Sequence, residues 1–120
     1  MSKTILIADD LKDVRDILKM AVSSDYPNLF EADSGNQAIR ILGEQYIDLV
    51  ILDFSMPNGN GLDVLRSSSS FKNPDVKFIV LSDYCQNIEG DPMIKNVEAV
   101  IDKPFSGTSL LEVIKRALNE

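Results

Sequence analysis

The chain contains no histidine and a single cysteine, Cys85. Without histidine there is no imidazole for a Ser-His-Asp triad, for a histidine-ligated metal, or for a phosphohistidine donor role. One cysteine excludes an internal disulfide and suits a reducing compartment. Long apolar runs are missing as well. The apolar part of "MSKTILIADD" is too short for a signal peptide, and nothing later approaches a membrane span. Positive charge is scarce: 12 Lys and Arg stand against 19 Asp and Glu, a net charge of −7. No basic stripe is available to neutralise phosphates, which argues against nucleic-acid binding as the main activity. These absences point to a cytoplasmic protein whose polar chemistry rests on carboxylates, hydroxyls and amines.

What is present is a well-supplied core. With 120 residues, 44% of them hydrophobic, the chain reads as one compact domain over residues 1–120, without an output domain. Charged residues make up 26% and are mixed in sign, unlike a disordered tail. Five short apolar runs, Thr4–Ala8, Leu29–Ala32, Leu49–Leu52, Val76–Leu81 and Ala99–Ile101, read as strands. Helical patterns alternate with them. Val14, Ile17, Leu18 and Ala21 form an apolar stripe, with Lys12, Arg15, Asp16 and Lys19 on the opposite face. Ser34 caps a second helix that buries Ala38, Ile39, Ile41 and Leu42. A third runs from Leu62 through Leu65 and fades into Ser67–Ser70, whose hydroxyls compete for backbone hydrogen bonds. The segment "DYCQNIEGDPMIKN" carries Gly90 and Pro92, so a short or irregular helix is expected there, ending at Asn96 in a left-handed cap. The last helix starts near Ser106 or Thr108, with Ser109 and Glu112 at capping-box spacing. No internal repeat or linker interrupts the pattern.

A fivefold strand–helix alternation means parallel strands with helices on both faces of the sheet. Ligand chemistry in such sheets sits beyond the carboxyl ends of the strands. Immediately past the runs stand Asp9 and Asp10, then Asp53, then Ser82, then Lys103. Singly, each has a plainer role: a turn residue, a helix cap, a solvated lysine. Together they put three carboxylates, a hydroxyl and an ammonium at one edge. Carboxylates so crowded raise one another's pKa unless a cation is present. Hard oxygen ligands without His or Cys select Mg²⁺, Mn²⁺ or Ca²⁺, not zinc. The adjacency of Asp9 and Asp10 is therefore read as a divalent-cation site. Asp53, at the end of a run expected to be buried on both faces, is placed to attack a phosphoryl group and form an acyl phosphate. Lys103 would hold one phosphoryl oxygen as a point charge, and Ser82 would donate a hydrogen bond to another.

Taken in order, "DD" at Asp9-Asp10, "LDFSMPNGNG" from Leu52, "LS" at Leu81-Ser82 and "KPF" from Lys103 resemble the receiver domain of two-component response regulators, in its stand-alone, chemotaxis-regulator-like form. The resemblance covers the whole chain. It implies a flavodoxin-like, doubly wound, five-stranded parallel sheet of strand order 2-1-3-4-5. It also implies Asp53 as phosphoacceptor, and Asp9, Asp10, Asp53 and the backbone carbonyl of Ser55 around Mg²⁺, or Mn²⁺ in its place. Ser82 matches the switch hydroxyl, Lys103 the phosphoryl-contacting lysine, and the Lys103–Pro104 bond would be cis. The phosphodonor would be a sensor histidine kinase or phosphotransfer protein, and the output an unknown protein partner, with neither membrane nor nucleic acid contacted directly. Three features depart from the family pattern: Val100 stands where an aromatic is usual, Asp83 where a small residue follows the hydroxyl, and the fourth helical segment carries a Gly90–Pro92 break.

Other readings fit less well. A flavin carrier or dinucleotide enzyme needs a hydroxyl- or glycine-rich turn after the first strand, where Asp9-Asp10 would repel a phosphate. An aspartyl phosphatase needs a second acid two residues after its nucleophile, and that position is Ser55. The rival from another class is a receiver-like module that binds a partner without being phosphorylated.

Overall fold

The computed structural model describes residues 3–54, 56, 61–82, 92, 94–103 and 105–120. Five strands, β1 (Thr4–Ala8), β2 (Asn28–Ala32), β3 (Leu49–Asp53), β4 (Lys77–Ser82) and β5 (Val97–Asp102), form one sheet in the order β2-β1-β3-β4-β5, every pair parallel. Helices α1 (Lys12–Val22), α2 (Gly35–Glu44), α3 (Gly61–Arg66) and α4 (Gly107–Ala117) connect and cover them. The fold class expected from the alternation is the one observed.

Strand parity divides the core in two. Leu6 and Ala8, Val50 and Leu52, and Phe78 and Val80 pack with Ala38 and Leu42 of α2 and Val64 and Leu65 of α3. The alternate positions, Ile5 and Ile7, Leu49 and Ile51, and Ile79 and Leu81, pack with Leu18 and Val22 of α1 and Leu110 and Ile114 of α4. Successive strand side chains point to opposite faces. Because both faces are covered, the three central strands are apolar at nearly every position, which is why they stood out as unbroken runs. The edge strand β5 alternates half-buried and exposed residues instead, with Glu98, Val100 and Asp102 outward. Its apolar signal was therefore short: Ala99–Ile101 were expected, and pairing adds Val97, Glu98 and Asp102.

Local chemistry explains most helix ends. The Ser34 hydroxyl accepts from the Gln37 N–H at 3.1 Å, capping α2 as expected. After α3, Ser67 donates its hydroxyl to the Asp63 carbonyl and Ser70 to the Ser67 carbonyl, and the chain tightens into a 3₁₀ turn at Ser68–Ser70. Asn96 takes a φ of 64°, the left-handed conformation expected of it, just before β5. Of the segment expected to form a short or irregular helix upstream, residues 83–91 and 93, Asp83 and Gly90 among them, lie outside the described residues; residues 94–96 are not helical, so Asn96 leads into β5 instead of ending a helix.

Two helical details differ from expectation. Ile17 is 60% exposed, whereas Val22 is fully buried. At about 100° per residue the stripe Val14, Leu18, Ala21, Val22 is centred away from Ile17. That roll also turns Arg15 inward, to 14% exposure. The cap of α4 is Ser106, whose hydroxyl accepts from the Ser109 N–H at 3.1 Å, so Ser109 is the third residue of the capping turn and not its start.

Candidate functional site

In the order β2-β1-β3-β4-β5 the connections leave β1 and β3 in opposite directions, and a crevice opens between their carboxyl ends. Asp9 and Asp10 follow β1 directly, and Asp53 is the last residue of β3. Their carboxylates converge: one oxygen from each lies within 4.8 Å of the others. Ser82 ends β4 and is buried. The Lys103 N–H donates to the Ser82 carbonyl at 2.8 Å, continuing the β4–β5 ladder by one step. The lysine side chain reaches back across the edge, placing Nζ 3.2 Å from Oδ1 of Asp53. Five residues chosen from four separate strand ends thus meet at one edge.

Asp9 has no solvent exposure. Its N–H donates to the Ala32 carbonyl at 3.0 Å, and its Oδ1 accepts from the Leu11 N–H at 2.9 Å. Its Oδ2 is buried with no hydrogen-bond partner among the described residues. Burial, more than any neighbour, pushes the Asp9 carboxyl above its ordinary value. The Leu11 N–H and the Lys103 charge oppose that shift, and Asp10 reinforces it. A buried carboxylate oxygen without a donor is costly. The Asp9 carboxylate lies beside two others, an arrangement that a hard divalent cation with oxygen ligands neutralises. The donor set fits Mg²⁺ or Mn²⁺ and contains nothing for zinc or copper.

The loop after β3 is closed by a short backbone approach. The Gly61 N–H donates to the Phe54 carbonyl at 2.9 Å, next to Asp53. A Cβ on Gly61 would lie 2.8 Å from Phe54 Cα and 2.9 Å from its carbonyl oxygen. Only glycine permits that contact. Ser55, whose carbonyl was expected at the metal, lies outside the described residues, as do Asp83 and Pro104, and with Pro104 the geometry of the Lys103–Pro104 bond.

One participant was not anticipated. Arg15 reads in the sequence as an outward charge on α1, yet its Nη1 donates to the Asp9 carbonyl at 2.8 Å and its Nε to Oε1 of Glu31 at 3.1 Å. The signal that could have exposed it is a cation about one and a half helical turns past the acid pair, opposite a carboxylate on β2.

The sequence model of the response regulator receiver domain matches residues 5–115. The chain is 33% identical over 115 residues to the chemotaxis protein CheY of Listeria monocytogenes, covering 94% of this chain and 96% of that one. A CheY-like receiver domain protein from Methanospirillum hungatei superimposes with a TM-score of 0.86 at 24% identity, covering 99% of this chain and 95% of the other. The response regulator TrrA of Thermotoga maritima, solved in complex with Mg²⁺-BeF, gives a TM-score of 0.79 at 30% identity over 96% and 98% of the two chains. The chain also aligns with 14% of the length of the sensor kinase/phosphatase LuxN of Vibrio campbellii, at 27% identity.

Proposed function

Because the chain belongs to the response-regulator receiver family of two-component signalling, whose members accept phosphoryl groups from histidine kinases or phosphotransfer proteins, we propose that it is a Mg²⁺-dependent phosphoacceptor and that Asp53 is the residue phosphorylated. The observation that carries this reading is the position of Asp53 itself. It is a buried carboxylate close to two other acids and 3.2 Å from the Lys103 ammonium. A carboxylate so placed is an oriented nucleophile, with countercharge ready for the oxygens of an incoming phosphoryl group.

In the transfer, an Asp53 oxygen forms a bond to phosphorus. The phosphorus–nitrogen bond of the donor phosphoimidazole breaks, and its electron pair returns to the imidazole nitrogen. Asp9, Asp10, Asp53 and the Ser55 carbonyl would hold the divalent ion, which supplies charge neutralisation to the transferring oxygens. Lys103 exchanges its contact with Asp53 for a phosphoryl oxygen, and the Ser82 hydroxyl donates to another. The chain has no imidazole with which to take the phosphoryl group onward, so Asp53 is its only station. The reaction needs no turnover of a separate substrate, so the protein is a phosphoacceptor rather than an enzyme in the ordinary sense. It works in the cytoplasm, and its phosphorylated form alters a contact with a further protein.

Incubation with acetyl phosphate and Mg²⁺, followed by intact mass, tests this. The wild type should gain one phosphoryl group, whereas Asp53→Asn and metal-depleted wild type should gain none. Equal uptake by wild type and Asp53→Asn would refute the assignment. No uptake by wild type from acetyl phosphate or a phosphohistidine donor would favour the phosphorylation-independent binding module.

A further inference from the structure

The bonds around Asp9 have a consequence for Arg15, and it rests on the metal reading above. Three of the four polar atoms of Asp9 are fixed by the protein. The N–H is held by Ala32, the carbonyl by Arg15 and Oδ1 by the Leu11 N–H. Only Oδ2 is left to face the other carboxylates. Arg15 supplies one of these fixings from a side chain and is itself fixed, since its Nε bonds Glu31 and Glu31 also accepts from Lys19 Nζ at 2.9 Å.

We propose that Arg15 is a positioning residue for the metal site: it clamps the Asp9 peptide so that Oδ2 is presented to the divalent ion, and Glu31 holds Arg15 in the clamping orientation. Its bonds among the described residues go to a carbonyl and to Glu31, not to the carboxylates of Asp9, Asp10 or Asp53. Its charge alone would work against the site, because a fixed cation beside a metal site repels the metal. The guanidinium serves by shape. Its fork reaches two acceptors at once in a fixed plane, which a lysine ammonium does not reproduce. Groups that orient a ligand in this way commonly govern metal affinity as strongly as the ligands.

The charge and shape accounts predict opposite results, and that makes the test decisive. Mg²⁺ is titrated calorimetrically into wild type, Arg15→Lys, Glu31→Gln and Glu31→Ala, and amide hydrogen exchange of Leu11 is measured in each metal-free protein. Arg15→Lys keeps the charge and loses the fork, so it should bind Mg²⁺ about tenfold more weakly and exchange the Leu11 amide faster. Glu31→Gln and Glu31→Ala remove the same charge, but only the second removes the acceptor. Glu31→Ala should therefore bind several-fold more weakly than Glu31→Gln. This pair decides the matter even if Arg15→Lys folds poorly, because Glu31 lies partly at the surface. Arg15→Lys binding Mg²⁺ as tightly as wild type, or equal affinities for the two Glu31 variants, would overturn the role of Arg15 and leave the metal site standing. Wild type that binds no Mg²⁺ would overturn the metal site and this role together.

Discussion

Asp9 carries two opposed requirements. Its burial and, to a lesser degree, neighbouring Asp10 disfavour the charged form, yet the proposed cation site needs that charge. In the metal-free protein, a carboxyl whose pKa is raised on folding detracts from stability above that pKa, and the loss is recovered as pH falls through it. Asp9→Asn removes the charge while keeping an acceptor for the Leu11 N–H. We expect the metal-free variant to melt about 3 °C above wild type near neutral pH and to gain nothing from Mg²⁺. Calorimetric melting with EDTA and with Mg²⁺ checks both halves, and a variant less stable than wild type in EDTA contradicts the repulsion argument. Glu31 shows the reverse sign. Its hydrogen bond to Lys19, and then that to Arg15, hold its carboxyl below the usual range. That stabilisation is full above the ordinary carboxyl pKa of 4.5 and is lost as pH falls through the lowered value. Glu31→Gln should accordingly flatten the acid limb of the stability curve below about pH 4.5 while leaving the neutral-to-basic limb unchanged in slope. Urea unfolding across pH 3–8 measures this.

At the scale of elements, two glycines with the same composition cost have opposite expected fates. Gly61 sits where a Cβ would run into the Phe54 backbone, beside Asp53. Gly61→Ala should destabilise by roughly 2 kcal/mol and slow acetyl phosphate labelling several-fold, because the strand end bearing Asp53 must shift. Gly43, near the end of α2, has nothing within 4 Å of an added Cβ. Gly43→Ala should stabilise by about 0.5 kcal/mol without altering labelling. Denaturant midpoints and labelling rates on the two variants separate backbone crowding from helix propensity. The contrast also shows what the sequence can and cannot announce. Strand ends were legible because buried parallel strands are apolar throughout, so the first polar residue after each run marks its carboxyl end. Asp9, Asp53 and Ser82 were found that way, and Asp10 and Lys103 each stand one residue further on. Arg15 was not, because helical spacing assigns a cation to the outer face, and only the roll of α1 turns this one inward. The start of α4 near Ser106 was legible, but the capping-box spacing of Ser109 and Glu112 competed with it because Ser106 and Ser109 are chemically alike, and packing of Leu110 and Ile114 decides between them. The contact that demands Gly61 joins residues seven apart and leaves no local pattern.

For the molecule as a whole, the site joins four of the five strands at one edge, so filling it should be felt as global stability and as a change along the sheet. Mg²⁺ at ten times its dissociation constant should add about 1.4 kcal/mol, or about 5 °C in Tm, and an equal ionic strength of NaCl should not. A phosphorylation signal would leave the site through β4 and β5, where the Lys103 N–H bonds the Ser82 carbonyl. Val100, on the outward face of β5, is short and β-branched and has few rotamers to exchange. The route must therefore run through backbone. Adding a beryllofluoride phosphoryl mimic with Mg²⁺ should shift amides along β4, β5 and residues 83–96 while leaving β2 unchanged. Shifts confined to the five site residues would mean that no switch is coupled to the site.

All of this depends on one carboxylate being the acceptor. Protein labelled with acetyl phosphate and Mg²⁺ can be reduced with borohydride, which converts an aspartyl phosphate to homoserine, and then sequenced by tandem mass spectrometry. The account predicts homoserine at position 53, absent when Mg²⁺ is withheld. Homoserine at Asp9, Asp10 or any other carboxylate, or Mg²⁺-independent labelling of Asp53, would contradict it.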